Sequence, residues 1–311
     1  MSAPNTQTTF IMRPFDWLLL VCLSLLWGSS FFWSTIALDQ VPAGWIVTAR
    51  LILAALLLTA AVFALKRKIP TDLRSWTAFA VLGLINNLIP FSAYTLSLLY
   101  ISSSLAAVLN AFTPLSTLVL SQVFRLEDRM TWFNTLGIIF GISGVALLML
   151  PGLQGQGWSQ AVGVAFAVTA ALFYAFGALY ARRFKGIDPY VMAWGMICFS
   201  AVYSVPAAFI QHGWPTAMPS PSILAALFML GAFSTALAYM GFFTLLARVG
   251  PTNSATVALI LPFAAVFLGV VFLGERFTVL TGGASIVIFL SMVFIDGRIP
   301  KAVLAGLSPK S

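Results

Sequence analysis

The sequence predicts an all-α integral membrane protein with ten transmembrane helices, arranged as two inverted five-helix repeats. Three observations lead to this fold class: the composition, the spacing of the apolar segments and a duplicated motif. Hydrophobic residues make up 60% of the 311 residues, charged residues only 8%, and the mean hydropathy is +1.00. A soluble domain of this length does not have such a composition. The net charge of +8 lies in short loops, so it does not indicate nucleic-acid binding.

Ten segments are apolar over the roughly 20 residues that a helix needs to cross about 30 Å of hydrocarbon. Because no water is available there, each backbone N–H and C=O must find a partner within the protein, and a helix provides one. The alternating pattern of a membrane β-barrel is not present. The predicted spans are 16–38, 43–65, 75–98, 102–123, 131–150, 159–181, 189–210, 222–247, 252–273 and 279–297.

The duplicated motif consists of TPLSTLVLSQVFRLEDR and LPFAAVFLGVVFLGERF, each running from a proline in an apolar helix to an acidic-basic turn. Pro114 and Pro262 are 148 residues apart (262 − 114), as are Glu127 and Glu275 (275 − 127). The spacing predicts a first repeat over 15–150 and a second over 159–297. Since each repeat has an odd number of spans, the second copy enters the bilayer upside down relative to the first.

The loops show a strong bias in Lys and Arg, which are retained on the cytoplasmic side during insertion. With the N-terminus inside, 14 of the 16 basic residues face the cytoplasm, Arg276 lies outside and Arg50 lies within a span. The cytoplasmic set is Arg13, Lys66, Arg67, Lys68, Arg74, Arg125, Arg129, Arg182, Arg183, Lys185, Arg248, Arg298, Lys301 and Lys310. The bias predicts that both termini are cytoplasmic.

The two prolines of the duplicated motif are predicted to reach the middle of the membrane. A proline lacks an N–H and crowds the carbonyl four residues earlier, which belongs to Asn110 for Pro114 and to Ala258 for Pro262. One interpretation is that these loosened carbonyls line a substrate cavity and accept from an ammonium group. The alternative is that Ser and Thr side chains or water satisfy them, and that the prolines only kink helices for packing.

The segments LLWGSSFFW and TARLILAALLL, together with the two proline-to-glutamate segments, resemble the EamA family of the drug/metabolite transporter superfamily. The resemblance extends from about Phe15 to Ile295. It implies ten helices, both termini inside, and export of small metabolites across a bacterial inner membrane. Within the family the chain is similar to amino-acid exporters, including the YddG type associated with aromatic amino acids.

Arg50 is the one ionisable residue placed well inside a predicted span. Charges within the membrane are costly and usually functional. With no Asp or Glu deep in another span, the guanidinium is free to bind a substrate carboxylate in a bidentate manner. The alternative is structural: Arg50 extends towards the interface or bonds backbone carbonyls of neighbouring helices.

Trp27 is predicted to lie deep in the first span, where it either stacks on a planar substrate or fills the packed interior. Polar residues within the spans must face protein or water. Asn86 and Asn87 point about 100° apart on a helix, so at most one faces a narrow cavity. The candidate substrate-binding residues are Trp27, Arg50, Asn86, Tyr94, Asn110, Pro114, Tyr174, Tyr239 and Pro262. The wider polar outline adds Ser34, Asn87, Ser92, Thr113, Ser234, Thr235, Asn253 and Thr256.

These patterns predict a secondary transporter that exports small metabolites, most of all amino acids, by alternating access at a midplane cavity. The other possibilities are an exporter of purine-like compounds or drugs and a channel-like facilitator. No DDxxD, HExxH or P-loop motif is present, so the sequence predicts neither an enzyme nor a bound metal, cofactor or nucleotide. The predicted partners are the lipid bilayer and a small-molecule substrate. Energy coupling and oligomeric state stay open.

Overall fold

The structure, a computed structural model, describes residues 12–125, 130–153, 157–184 and 186–296. These residues are mostly helical and contain no β-strand. The N-terminal part consists of α1 (Pro14–Leu38), α2 (Ala43–Ala64), α3 (Leu73–Ser97), α4 (Ser103–Val123) and α5 (Trp132–Leu153). The C-terminal part consists of α6 (Trp158–Ala181), α7 (Pro189–His212), α8 (Pro221–Gly250), α9 (Val257–Leu273) and α10 (Val279–Asp296).

The all-helical prediction is confirmed for the described residues. Eight of the helices are long and apolar enough to cross a membrane, whereas α9 and α10 are apolar but shorter. The largest difference from the predicted spans lies between α8 and α9. Helix α8 continues to Gly250, whose φ of 73° is favourable only for glycine, and α9 begins at Val257 rather than at 252. The predicted turn at Glu127 lies outside the described residues.

The same pattern of helix neighbours recurs in the two halves of the chain. Three of the extensive contacts join helices that hold the same place in the order of the two halves. In these contacts α2 packs on α7, α4 on α9 and α5 on α10. Other contacts recur as well, because α1 packs on α8 and α9 while α6 packs on α3 and α4. A single interior therefore forms along the line where the two halves meet.

Helices α3 and α8 each contain a π-helical segment, in which the helix turn is wider by one residue. The segments are Gly83–Leu88 and Met229–Leu237. A shift of 148 residues places 83–88 on 231–236, inside the second segment. Such wide turns are rare and frequently occur at functional sites. The sequence repeat is thus matched by an irregularity at the same position of two helices.

Helix α5 serves packing, as its glycines predict. Gly137, Gly141 and Gly144 lie against α10, where a β-carbon on each would approach Ile295, Ser291 and Ile288 respectively at 2.6–2.8 Å. Small residues allow helix backbones to approach closely in a bilayer, where dispersion contacts drive helix association. The α5–α10 pair therefore depends on the absence of side chains along this face.

Asp72, just before α3, caps the N-terminus of this helix. Its carboxylate accepts from the backbone N–H of Ser75 at 2.8 Å and from the Ser75 hydroxyl at 2.8 Å. These hydrogen bonds hold the pKa of Asp72 below its ordinary value. Asp188 caps α7 in a similar way through the N–H groups of Tyr190 and Val191.

We expect Gly144→Ala to lower the melting temperature of the purified protein by a few degrees, because the new methyl group overpacks the α5–α10 contact by about 1–3 kcal/mol. The matched control is Gly283→Ala on α10, where a β-carbon meets no atom within 4 Å. Thermal unfolding in detergent, followed by fluorescence or circular dichroism, measures both. Equal melting temperatures for the two variants would contradict the packing role.

Candidate functional site

A cavity of about 340 Å³ lies among helices of both halves. Its volume falls in the range of roughly 300–1,000 Å³ that is typical of small-molecule sites. The lining residues are Trp27, Ser30, Phe31, Ser34, Arg50, Asn86, Phe91, Tyr94, Thr95, Leu98, Asn110, Thr113, Pro114, Tyr174, Ala178, Ser234, Tyr239, Phe242, Ala258 and Leu261. Helices α5, α7 and α10 contribute none of them, in keeping with a packing role for α5.

A larger cavity of about 450 Å³ lies among the charged loops around Lys68 and Arg183. Its lining residues, except Ser75, are exposed or half-buried, so the inner cavity is the better candidate.

Eight of the nine predicted site residues line the inner cavity. They are Trp27, Arg50, Asn86, Tyr94, Asn110, Pro114, Tyr174 and Tyr239. Pro262 is buried in α9 and is not among the lining residues, although the preceding Leu261 is. Helix α9 lies close to α1 here, since a β-carbon on Gly28 would be 2.9 Å from the Leu261 carbonyl oxygen. Pro262 therefore lies within the helix crossing behind the cavity wall.

Arg50 on α2 is 8% exposed and is held by two neighbours. Its Nε donates to the Thr235 hydroxyl at 2.7 Å, and its guanidinium carbon lies 3.8 Å from the centroid of the Phe91 ring. The ion pairs of the described residues, Arg67–Asp188 and Arg248–Asp16, lie elsewhere. Arg50 is thus a buried cation that lines the cavity without a carboxylate partner from the described part of the chain.

Seven aromatic side chains contribute to the cavity wall. Trp27 meets Tyr239 edge-on at a centroid distance of 6.3 Å and Phe242 at 5.1 Å. On the other side, Tyr94 lies 6.0 Å from Tyr174. These spacings are those of ordinary aromatic packing, so the rings stabilise each other and also present flat apolar surfaces to a ligand.

Two of the three tyrosine hydroxyls of the cavity are anchored by asparagines. Tyr94 donates to Asn110 Oδ1 at 2.9 Å, and Tyr239 donates to Asn87 Oδ1 at 2.8 Å. Asn87 is fully buried, whereas its neighbour Asn86 lines the cavity. Of the two adjacent asparagines, of which at most one was expected to face the cavity, Asn86 is the one among the lining residues. The hydrogen bonds fix the rings of Tyr94 and Tyr239.

Helix α4 is interrupted at the level of the cavity. Ser103–Asn110 and Phe112–Val123 are separated at Ala111, close to Pro114. Asn110, Thr113 and Pro114 around this break all line the cavity, and so does Ala258 at the start of α9. Irregular backbone is tolerated at membrane depth where it is buried in protein or lines a cavity. Both residues whose carbonyls the prolines were predicted to loosen therefore reach the site.

Phe91, Phe242 and Thr235 are among the contributors to the site that were not singled out as site residues from the sequence. Helical spacing would have identified the first two, since Phe91 is three residues before Tyr94 and Phe242 three residues after Tyr239. Thr235 appeared only in the wider polar outline. It lies in the π-helical segment of α8, where the usual helical spacing does not indicate which face a side chain occupies.

Within the described ranges, no group of three or more His, Cys, Asp or Glu side chains is placed to hold a metal ion. Cys22 and Cys198 are both free thiols.

Apolar helices of membrane-spanning length around an inner cavity define a multi-pass membrane protein with a site for a small solute. The sequence profile of the EamA-like transporter family matches residues 16–150 and again residues 161–296. The chain therefore belongs to the EamA-like transporter family. The double match falls on the two halves whose helix neighbours recur.

Several relatives share most of their length with this chain. The uncharacterized transporter YvbV of Bacillus subtilis (strain 168) is 25% identical over 99% of this chain and 98% of its own. The uncharacterized inner membrane transporter YedA of Escherichia coli (strain K12) is 28% identical over 89% of each chain. A probable terminal-alkyne amino-acid exporter of Streptantibioticus cattleyicolor is 26% identical over 82% of this chain and 84% of its own.

A protein of known crystal structure shares the fold. It aligns with a TM-score of 0.64 at 18% identity, covering 91% of this chain and 98% of its own.

Proposed function

We propose that the chain is an inner-membrane secondary transporter that exports small metabolites, with amino acids, and aromatic ones first among them, as its substrates. The observation that carries the proposal is the inner cavity, in which the buried Arg50 faces a wall of aromatic rings. A small solute with one anionic group and a flat apolar part matches these features. The name of the relative from Streptantibioticus cattleyicolor, a probable amino-acid exporter, supports the same substrate class.

An amino acid would use three parts of the cavity. Its carboxylate would accept from Arg50, since guanidinium groups bind carboxylates through two parallel hydrogen bonds. Its ammonium group would donate to acceptors near the break in α4, where Asn110 lies, and near Ala258 at the start of α9. Its side chain would pack on Trp27 and Tyr174. Because α1, α3, α4, α6, α8 and α9 all contribute lining residues, a shift of one half against the other would change access to the bound solute.

The proposed topology has ten spans in two inverted repeats, 15–150 and 159–297, with both termini in the cytoplasm. The recurring helix neighbours, the matched π-helical segments and the segregation of Lys and Arg support it. The shorter α9 and α10 would complete the second repeat. Solute transfer is then facilitated export or exchange between the two sides.

We expect purified protein in liposomes to take up radiolabelled aromatic amino acids with saturable kinetics and to show counterflow. Arg50→Ala and Trp27→Ala should each reduce this flux at least about tenfold, since each removes a ligand contact. Trp214→Ala is the matched control, because Trp214 stacks on Trp45 outside the cavity. Melting temperatures show which variants are folded. A linear, non-saturating flux would indicate a channel instead. Saturable flux of purine-like compounds or drugs, without flux of amino acids, would show that those compounds are the substrates.

The topology predicts that Thr71 and Thr216, in the α2–α3 and α7–α8 loops, lie on opposite sides of the membrane. Single cysteines at these positions, in a background with Cys22 and Cys198 replaced by serine, should react with an impermeant maleimide from opposite faces of sealed vesicles. The position-71 cysteine should react only from the cytoplasmic face. Labelling of both cysteines from one face would exclude the inverted repeat.

A further inference from the structure

The surroundings of Arg50 restrict the ligand further than the cavity volume does. Thr235 Oγ1 donates its single proton to the Leu230 carbonyl at 2.8 Å, five residues earlier in the π-helical segment. A hydroxyl group has only one proton to donate, so towards Arg50 the same oxygen acts as an acceptor, receiving the Nε proton at 2.7 Å. The direction of both hydrogen bonds is therefore determined.

Two neighbours occupy one edge and one face of the guanidinium. Thr235 occupies the Nε position and the Phe91 ring covers a face at 3.8 Å. The two Nη atoms, with four N–H groups between them, have no acceptor among the described residues, and Arg50 lines the cavity. A guanidinium that is 8% exposed is strongly destabilised unless an anion or hydrogen-bond acceptors compensate its charge.

Building on the proposed transport function, we propose that the ligand of the cavity must carry a planar carboxylate that bonds both Nη atoms of Arg50, and that Thr235 is the positioning residue. The end of the guanidinium that carries the two Nη atoms matches two carboxylate oxygens. Thr235 and Phe91 fix the rotation of the side chain so that this end faces the cavity. Removal of the Thr235 acceptor lets the guanidinium turn towards another acceptor.

Binding to purified protein tests this proposal separately from transport. Ligand-induced shifts in melting temperature should be produced by phenylalanine and not by phenethylamine, which has the same ring and amine but no carboxylate. A phosphate monoester of similar size distinguishes a carboxylate site from a general anion site. If phenethylamine stabilises the protein as well as phenylalanine does, or if only the phosphate monoester does, the carboxylate requirement is wrong. Absence of saturable flux, by contrast, affects only the transport proposal.

The positioning role of Thr235 predicts a rise of about tenfold in the dissociation constant for phenylalanine in Thr235→Val, which keeps the side-chain shape and loses the hydroxyl. Thr235→Ser should restore most of the affinity. The control is Thr169→Val on α6, an exposed threonine that bonds only the Ala165 carbonyl in its own helix. An unchanged dissociation constant in folded Thr235→Val would refute the role.

A second inference rests on a different contact, at the end of the molecule where α4 begins and α9 ends. Glu275 follows α9 after a turn at Gly274, whose φ is 65°. Its two carboxylate oxygens accept from the backbone N–H groups of Ser103 at 2.7 Å and Ser104 at 3.0 Å, the first residues of α4. An anion at a helix N-terminus is favourable because the N–H groups there lack helical partners. This contact joins residues more than 170 positions apart, from different halves of the chain.

The packing of α4 on α9 is confined to the same end. Ser103–Asn110 packs extensively on α9, whereas Phe112–Val123 packs mainly on α6 and, within the described residues, has no comparable contact with α9. A β-carbon on Gly269 of α9 would overlap both the Glu275 carboxylate and the Ser104 hydroxyl, so the close approach depends on this glycine. The two helices are therefore closed together at the Glu275 end and separate towards the other end.

We infer that the Glu275 carboxylate and the first N–H groups of α4 form a gate contact, which must break for the cavity to open at that end. In the proposed topology this end faces outward. Alternating access requires the two halves to separate there, and α4 and α9 belong to different halves. The contact would stabilise the outward-closed state relative to the outward-open state by the energy of two charge-assisted hydrogen bonds.

We expect Glu275→Ala to raise the ratio of outward-open to outward-closed molecules about tenfold or more, and Glu275→Gln to raise it less. Spin labels at Tyr100 and Thr278, which are exposed on the two sides of the contact, report this ratio as a longer distance in pulsed electron spin resonance. Asp39→Asn removes an exposed acid on the same face and should change nothing. If the distance distribution of folded Glu275→Ala equals that of the unsubstituted protein, Glu275 is a helix cap and not a gate.

Discussion

The hydrocarbon core of the bilayer offers no water to a peptide group, and this constraint shapes the rest of the molecule. Long apolar helices satisfy the constraint everywhere along the lipid-facing surface. The departures from regular helix lie in the interior: the wide turns of α3 and α8 and the break at Ala111 in α4. Each of these irregular segments contains or adjoins residues of the inner cavity. The irregular backbone is thus concentrated where it can find partners other than its own helix.

The lack of water in the hydrocarbon core constrains the side chain of Arg50 as well. A buried cation needs compensation, and the protein supplies only part of it through the Thr235 hydroxyl and the Phe91 ring. Both neighbours are neutral, so the charge itself is available to a ligand. The aromatic rings around it lower the polarity of the cavity, which strengthens any ion pair that forms there. A single charge in an apolar cavity can therefore provide much of the selectivity.

The sequence predicted the helical class and the approximate spans, because hydropathy and the repeat at 148 residues are strong signals in a chain with so few charges. Of the twenty residues that line the cavity, eight were among the predicted site residues. Asn110 and Pro114 were found for a physical reason, the missing N–H of proline. The wide turns were not found, since a shift of register by one residue within a membrane helix leaves no periodic trace in the sequence. Pro262 shares the motif of Pro114 and yet lies behind the wall, because α9 packs closely on Gly28 of α1. The contact of Glu275 with α4 joins distant positions and leaves no local pattern.

The two wide turns also change the rotational register between the two sections of α3 and of α8. One additional residue in a turn rotates everything beyond it by about 100° about the helix axis. In α3 this places Asn87 against Tyr239, while Tyr94, beyond the turn, faces the solute cavity. Loss of a single residue from Gly83–Leu88 would realign the two sections and rotate Tyr94 away from Asn110. The number of residues in Gly83–Leu88 therefore sets which face of α3 meets Asn110, while Gly83 itself is constrained by a close approach, since a β-carbon there would lie 2.7 Å from the Met196 carbonyl oxygen.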